Sequence, residues 1–253
     1  MKKLTFLGAG SAFTMQNRQS NLLLESENGK KLLIDAGSDI RHSLSLLGYD
    51  HLDLDGVYIS HCHGDHVGGL EWLGFLCYFD PRYKGRPKLY IADGLADTLW
   101  EDTLKGGMRS LQGSIATLET YFDVIKVKSN ETFKWEGTKF QLVQTVHIVD
   151  GFTFQPSYGL MFDVNEKRYF FTSDSQHAPS QLQDFYNMSD VIFNDCETTP
   201  YPSRVHAHFD ELSTLNEETK AKMHLYHYND GDLPDAEKYG FAGFINKGQV
   251  FEF

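Results

Sequence analysis

Four residues with metal-binding side chains lie within one six-residue stretch: His61, His63, Asp65 and His66. Neutral imidazole and ionised carboxylate are the usual ligands of borderline divalent metals such as zinc. His61 and His63 are two residues apart, so in an extended segment their side chains point the same way and can hold one ion. Gly64 permits a turn with positive φ, after which Asp65 and His66 can reach a second ion. The spacing predicts two adjacent metal ions, because coincidental histidines in a polar loop do not account for so dense a cluster.

The metal-binding stretch follows an apolar segment, residues 56–59, whose β-branched and aromatic side chains and leading glycine predict a buried strand. Apolar segments of this kind alternate with segments of helical periodicity on both sides of His147. The alternation predicts an α/β fold of two similar halves, with two stacked sheets and helices outside. The predicted strands are residues 4–7, 21–25, 31–35, 56–59, 88–92, 122–128, 132–135, 140–146, 158–164, 168–172 and 191–195. The predicted helices are residues 39–47, 67–79, 94–104, 179–187 and 211–223.

The motif at residues 61–66 resembles the HxHxDH signature of the metallo-β-lactamase superfamily, and the resemblance extends over nearly the whole chain. That superfamily also has a further histidine, a bridging aspartate and a last histidine, each at the end of a strand. His147, Asp174 and His227 fill these places in the same order. The resemblance implies a metallo-β-lactamase fold, an αββα sandwich of two mixed sheets, with two divalent metal ions, Zn²⁺ first and Mn²⁺ as the alternative. It implies one metal held by His61, His63 and His147, another held by Asp65, His66 and His227, and Asp174 bridging the two.

A bridging aspartate, where many β-lactamases have cysteine, is the pattern of the superfamily's phosphodiesterase and ribonuclease branches. Residues 7–11 also resemble the first strand and loop of the ribonuclease Z branch. Ribonuclease Z enzymes that bind transfer RNA have a long protruding arm between the two ligands that correspond to His147 and Asp174. Only 26 residues separate these two residues here, which leaves no room for such an arm. The chain most resembles the compact phosphodiesterases exemplified by the viral anti-Pycsar proteins, which degrade cyclic nucleotide immune signals. The resemblance implies a homodimer that hydrolyses small 3′,5′-cyclic nucleotides to 5′-monophosphates.

A proton donor for the leaving group is also implied by the ribonuclease Z branch. There, the donor is a histidine preceded by a Glu-x-Thr pattern like that of residues 197–199. The resemblance makes His208 the first candidate and His206 the second, and a surface His-x-His pair without a role is the alternative. Asp210 is predicted to be the N-cap of the helix over 211–223, which would place His208 just before that helix.

Three other features have two interpretations each. Asp35 follows a predicted strand, and it either supports a ligand imidazole, as in the resembling family, or caps the helix over 39–47. The glycine-punctuated segment 106–121 is either a lid or a plain helix connection. Aromatic side chains that would stack on a nucleotide base, or else lie in the core, are Phe13, Trp100, Tyr121, Phe152 and Phe154.

Composition limits the class of protein and of substrate. A chain of 253 residues is an ordinary length for one α/β domain, and one domain over residues 1–253 is predicted. No apolar run approaches the roughly 20 residues needed to span a membrane, and no signal-peptide pattern is seen, so a cytoplasmic protein is predicted. Three cysteines without a C-x-x-C pair predict reduced thiols. The net charge of −12, with 35 acidic and 23 basic residues, disfavours a long nucleic acid, whose binding relies on Lys and Arg.

Hydrolysis is the chemistry that such a site favours, because paired divalent metals activate water and stabilise displacement at phosphorus. Asp65 is expected to hold the attacking hydroxide, and an imidazolium is expected to protonate the departing ribose oxygen. The alternatives are a transfer RNA 3′ endonuclease, a hydrolase of esters, thioesters or lactams on the same site, and a binder that sequesters nucleotides without turnover. A binder has no need for an activated water, so the complete ligand set favours an enzyme.

Overall fold

Two mixed seven-stranded sheets make up the centre of the protein. The computed structural model describes residues 1–129 and 131–253. The first sheet contains, in spatial order, β16 (Val250–Glu252), β1 (Lys3–Phe6), β2 (Leu22–Glu25), β3 (Lys31–Ile34), β4 (Gly56–Ile59), β5 (Lys88–Ala92) and β8 (Asp123–Val127). The second contains β15 (Gly243–Phe244), β14 (Met223–Tyr226), β13 (Val191–Asp195), β12 (Lys167–Phe171), β11 (Phe154–Val164), β10 (Thr138–Val149) and β9 (Thr132–Trp135). A separate hairpin is formed by β6 (Ser110–Leu111) and β7 (Ser114–Ile115).

The inner faces of the two sheets pack against each other through aromatic side chains. Phe6 of the first sheet lies 5.3 Å from Phe193 and 5.7 Å from Tyr226 of the second, measured between ring centroids. Tyr58 stacks on Phe133 at 5.7 Å. Fully burying a side chain of this kind contributes about 1.5–3 kcal/mol. This core holds the strand ends, and therefore the residues that follow them, in fixed relative positions.

Helices connect the strands and pack on the outer faces. They are α1 (Ile40–Leu46), α2 (Gly64–Val67), α3 (Leu70–Phe79), α4 (Asp93–Thr98), α5 (Lys105–Met108), α6 (Leu118–Tyr121), α7 (Pro179–Met188), α8 (Phe209–Leu212) and α9 (Glu217–Ala221). Between α4 and α5 the chain continues as a π-helix over Leu99–Leu104. On the second sheet, Leu182 and Tyr186 of α7 share an apolar cluster with Phe170 and Ile192. The predicted arrangement of two stacked sheets with outer helices is confirmed.

Most predicted elements are present, and β4, β5, β9 and β13 have the predicted bounds. The prediction for residues 211–223 is wrong: two short helices, α8 and α9, replace one long helix, and Met223 begins β14. The N-cap of α8 is His208 instead of Asp210. Its imidazole does what a capping carboxylate would do, since it accepts a hydrogen bond from a backbone N–H of the first turn.

The segment from 106 to 121 forms α5, the small hairpin and α6. Tyr121 is buried, and its hydroxyl donates a hydrogen bond to the Met108 carbonyl at 2.6 Å.

Within the described residues, no helix is both long and apolar enough to cross a membrane.

Candidate active site

The predicted metal ligands meet at one edge of the two stacked sheets. The motif at 61–66 follows β4, Asp174 follows β12, and His227 follows β14. The strands β12, β13 and β14 are parallel, so their carboxyl ends lie at the same edge. His147 lies within β10, where the pairing with β11 shifts register between Val146 and Ile148. Such a bulge re-aims one side chain, and here it directs His147 toward the other ligands.

One group of ligand atoms is formed by His61, His63, His147 and Asp174, all mutually within 4.8 Å. His63 Nδ1 lies 3.0 Å from His61 Nε2 and 3.1 Å from His147 Nε2. Asp174 Oδ2 lies 3.7 Å from His61 Nε2 and 3.8 Å from His147 Nε2. His147 Nδ1 lies 2.8 Å from the Val205 carbonyl and must donate to it, so its Nε2 lone pair faces the group.

A second group is formed by Asp65, His66, His227 and again Asp174. His66 Nε2 and His227 Nε2 each lie 3.2 Å from Asp65 Oδ2. Asp174 lies 3.3 Å from His66 Nε2 through Oδ1, and 3.5 Å from His227 Nε2 through Oδ2. Asp174 therefore belongs to both groups, in the place that the resemblance implies for a bridging carboxylate.

The side chains fit a pair of divalent cations. His66 Nε2 and Asp174 Oδ1 are buried and, in the described part of the chain, have no hydrogen-bond partner. In the first group, three imidazole nitrogens converge on one point. Their lone pairs repel one another at this distance, and a cation at that point would offset the repulsion. Imidazole and carboxylate are also the donor set that Zn²⁺ and Mn²⁺ accept.

The pKa shifts of the first group agree with this donor chemistry, whereas in the second group the neighbouring carboxylates, Asp174 first, outweigh burial and hold the pKa of His66 and His227 well above the usual range. Burial lowers the pKa of His61, His63 and His147, which favours neutral imidazoles. Burial alone would raise the pKa of Asp174, but the neighbouring His227 and His66 hold that pKa well below its usual range. The Asp174 carboxylate is thus ionised, as a carboxylate must be to bind a metal.

Asp35 forms hydrogen bonds with residues of the ligand group and its neighbours. Of its two predicted roles, these contacts favour support of a ligand imidazole over capping of a helix. Its carboxylate accepts hydrogen bonds from the Ser60 backbone N–H at 2.8 Å, the Ser60 hydroxyl at 2.7 Å and His66 Nδ1 at 2.8 Å. The last bond fixes the tautomer of His66 and leaves Nε2 free for a metal.

Asp35 adopts a positive φ of 62°, and an added Cβ at Gly37 would lie 2.1 Å from the Asp65 carbonyl oxygen. Only glycine permits this close approach to the metal-binding loop.

The two candidate proton donors are placed differently. His206 Nδ1 lies 2.7 Å from Asp195 Oδ2, and its ring packs on His227 with centroids 4.6 Å apart. Burial would lower the pKa of His206, but the Asp195 carboxylate raises it. Both ring nitrogens of His208 are bonded to the backbone: Nδ1 accepts from the Asp210 N–H at 3.2 Å, and Nε2 donates to the Thr199 carbonyl at 2.9 Å. The arrangement favours His206, the second candidate, over His208.

Asp195 is a site residue that the sequence analysis did not identify. It is fully buried, it accepts a hydrogen bond from the Ser175 N–H at 2.9 Å, and it holds His206. The only signal in the sequence is that Asp195 is the last residue of the predicted strand over 191–195; the position of β13 between the strands that precede Asp174 and His227 is known from the structure.

Two cavities lie beside the ligand groups, and His63 and His147 line both of them. The first, of about 510 Å³, is lined by His61, His63 and His147 and by residues of α4 and the π-helix. The second, of about 440 Å³, lies beside Asp65, Asp174 and His206. Among the predicted stacking residues, Phe154 lines the first cavity and Phe13 the second, whereas Tyr121 lies in the core.

Solved structures with a similar fold define the fold class of this protein. The chain aligns over its full length with a diphosphatase from the PhnP family, with a TM-score of 0.76, 21% identity and 98% of that chain covered. YhfI from Bacillus subtilis, a metallo-β-lactamase fold protein, gives a TM-score of 0.75 and 21% identity, with 99% and 98% of the two chains covered. The short form of human tRNase Z gives 0.68 and 18%, with 98% of each chain covered. The protein therefore has the metallo-β-lactamase fold.

Sequence comparison specifies the family within this fold. The family model for the anti-Pycsar protein Apyc1 matches residues 2–251. The chain is 38% identical over 232 residues to the anti-Pycsar protein Apyc1 of Paenibacillus harenae, which covers 90% of each chain. It is 33% identical over 259 residues to that of Bacillus phage 010DV004, which covers 98% of this chain and 97% of the relative. The chain belongs to the anti-Pycsar protein Apyc1 family.

Proposed function

We propose that this protein is a metal-dependent phosphodiesterase that hydrolyses small 3′,5′-cyclic nucleotides to 5′-monophosphates and so counters cyclic nucleotide immune signalling. The observation that carries the proposal is the position of the Asp195–His206 pair beside the two ligand groups that share Asp174. A metal site alone is compatible with several hydrolyses. A carboxylate-held imidazole next to it matches a reaction whose leaving oxygen needs a proton, because a ribose alkoxide is a poor leaving group.

His61, His63 and His147 would hold one divalent ion, Asp65, His66 and His227 would hold the other, and Asp174 would contact both. Zn²⁺ is the first choice for the ions, and Mn²⁺ is the alternative. When bound, such ions activate water and neutralise charge on the phosphoryl oxygens. The Asp65 carboxylate accepts a hydrogen bond from the attacking water and orients it toward phosphorus.

His206 gives its proton from Nε2 to the departing 3′ oxygen of the ribose. Asp195 holds Nδ1 at 2.7 Å, which fixes the ring orientation and stabilises the imidazolium before the transfer. The bond between phosphorus and the 3′ oxygen breaks, so the product has a 5′-phosphate and a free 3′-hydroxyl. A hydrolase of esters or lactams on the same metals would not need this imidazole.

A small substrate is supported by the surroundings of the site. The 26 residues between His147 and Asp174 are taken up by the end of β10, by β11 and β12 and by their short connections, with no protruding arm. The net charge of −12 also opposes a long polyanion such as transfer RNA. Relatives of this chain are named anti-Pycsar proteins. We therefore favour a cyclic nucleotide over a transfer RNA precursor, in the cytoplasm, with the enzyme acting as a homodimer.

The direct test compares three substrate classes on one preparation loaded with Zn²⁺ or Mn²⁺: labelled 3′,5′-cyclic nucleotides, a transfer RNA precursor and a lactam. The proposal requires conversion of the cyclic nucleotides to 5′-monophosphates, with the other two turned over far more slowly. Efficient cleavage of the transfer RNA precursor or of the lactam, without cyclic nucleotide hydrolysis, would replace the proposed function with that alternative.

A further inference from the structure

The buried carboxylate of Asp195 faces two imidazoles, and the proposed function uses only one of these contacts. Asp195 Oδ2 lies 2.7 Å from His206 Nδ1, and it accepts a hydrogen bond from the Ser175 N–H at 2.9 Å. The other oxygen, Oδ1, lies 3.4 Å from Nδ1 of His227. Both of these atoms are buried, and in the described part of the chain neither has a hydrogen-bond partner. Leaving two such atoms unpaired costs free energy, so a small shift that brings them to bonding distance is favourable.

The orientation of His227 determines which of its nitrogens carries the proton. Its Nε2 lies 3.2 Å from Asp65 Oδ2 and 3.5 Å from Asp174 Oδ2, among the proposed metal ligands. A neutral imidazole that offers its Nε2 lone pair to a cation has its proton on Nδ1. Asp195 Oδ1 is the acceptor that this N–H faces. A carboxylate in such a position orients a ligand imidazole and makes it a stronger base.

The two ligand groups differ in what lies behind their imidazoles. In the second group, Nδ1 of His66 donates to the Asp35 carboxylate at 2.8 Å, so both imidazoles of that group face a buried carboxylate. In the first group, Nδ1 of His147 donates instead to a neutral oxygen, the Val205 carbonyl, at 2.8 Å. Removing the charge of Asp195 should therefore weaken the binding of the second ion more than that of the first.

We propose that Asp195 is a positioning residue shared by the second metal site and the proton donor. Its Oδ1 directs His227 Nε2 toward the metal, and its Oδ2 directs His206 Nε2 toward the leaving oxygen. The role toward His206 rests on the proposed function, whereas the role toward His227 requires only a metal at the second ligand group. The two imidazole rings lie 4.6 Å apart, with their planes inclined by 29°. One carboxylate thus fixes the position of the proton donor relative to a metal ligand.

A direct ligand role for His206 is the alternative. Ligand atoms of Asp174, Asp195, His206 and His227 lie mutually within 4.8 Å, a spacing that would let His206 itself contact an ion. The distances favour positioning, because His206 Nδ1 lies 2.7 Å from Asp195 Oδ2 but 3.9 Å from Asp174 Oδ2. A nitrogen this close to a carboxylate carries a proton, and a protonated nitrogen has no lone pair for a metal.

The test replaces Asp195 with asparagine, which keeps the shape of the side chain. The amide oxygen should take the Oδ2 position, because only an acceptor suits the Ser175 N–H, and the amide NH₂ then faces His227 Nδ1. A donor in that position favours the tautomer of His227 with its proton on Nε2, which opposes metal binding. Competition with a chelator should show one ion bound about 10–100-fold more weakly than in the wild type, with the other nearly unchanged.

Turnover gives a second readout. In an excess of metal that refills the second site, Asp195→Asn should hydrolyse a nitrophenyl phosphodiester at close to the wild-type rate. Its hydrolysis of a 3′,5′-cyclic nucleotide should stay about tenfold lower, because a neutral amide stabilises the His206 imidazolium less than a carboxylate does. Asp190→Asn is the matched control at the other end of β13. The exposed Asp190 carboxylate accepts a hydrogen bond from the Arg168 N–H at 2.7 Å, and its replacement should change neither metal affinity nor either rate.

A measurement on the wild type does not depend on the folding of any variant. In nitrogen NMR of the metal-loaded protein, Nδ1 of His227 should carry a proton that exchanges slowly with solvent, because Asp195 accepts it in a buried position. A proton on Nδ1 that exchanges rapidly, or none there, would overturn the role toward His227.

Unchanged affinity for both ions in Asp195→Asn would also overturn that role, and equal weakening of both ions would show that Asp195 only holds the sheet edge together. A loss of metal affinity in His206→Asn as large as in Asp195→Asn would make His206 a ligand and reject the inference. If the wild type hydrolyses no cyclic nucleotide, the proposed function fails together with the role toward His206. The chelator competition still decides the role toward His227.

Discussion

Replacing His206 with alanine should lower the kcat for a 3′,5′-cyclic nucleotide about 10²–10⁴-fold, the usual contribution of general acid catalysis. This corresponds to about 3–5.5 kcal/mol of transition-state stabilisation. The estimate applies to His206 because Asp195 holds its Nδ1 at 2.7 Å, and because the ring lines the cavity beside Asp65 and Asp174. KM should change less, since the metal ligands remain in place.

The assay uses two substrates that differ in their need for a proton. A nitrophenyl phosphodiester has a leaving group that departs as an anion, so His206→Ala should leave its hydrolysis nearly unaffected. Alanine also leaves the buried Asp195 carboxylate without its partner, which is destabilising. His206→Asn separates the two effects, because its amide can still donate to Asp195 but cannot supply a proton to the substrate.

His208→Ala is the matched control on the neighbouring candidate. It removes the cap of α8 and the bond to the Thr199 carbonyl, which should cost about 1 kcal/mol and lower the Tm by about 2–4 °C. Its effect on kcat should be small. Equal losses on both substrates in His206→Ala would show that His206 only holds the site together. A large, cyclic-nucleotide-specific loss in His208→Ala would refute the assignment and return the role to His208.

Four further outcomes are expected. Metal analysis of metal-replete protein should give close to two transition-metal ions per chain, and one ion or none would contradict the shared role of Asp174. Asp35→Asn should weaken metal affinity about 10–100-fold, measured by competition with a chelator, because His66 loses its orienting carboxylate; unchanged affinity would leave Asp35 with only a packing role. Asp65→Ala should abolish hydrolysis while circular dichroism stays native, and an unfolded variant would mean that Asp65 serves stability. Light scattering should give the mass of a homodimer, and a monomer at assay concentrations would remove that part of the proposal.

The amino-acid sequence is sufficient to predict most of the strands and the candidate ligand cluster at 61–66, because both follow from local patterns. The β4 segment is a continuous apolar run, and the motif at 61–66 places four potential metal ligands within six residues. Asp174 and His227 are candidate ligands through the resemblance to the metallo-β-lactamase superfamily, and each follows an apolar strand. These features depend on neighbours in sequence, which is what hydrophobic periodicity and ligand spacing report.

The tertiary structure decided the features that depend on residues far apart in the chain. Asp195 and His206 become a pair only because β13 ends beside the loop before α8, and nothing in either local sequence marks the contact. The preference for His206 over His208 as the proposed proton donor likewise rests on distant and backbone partners, which local sequence does not report. Spacing determines which chemistry a chain can supply, whereas packing between strand ends determines which side chains face the same space.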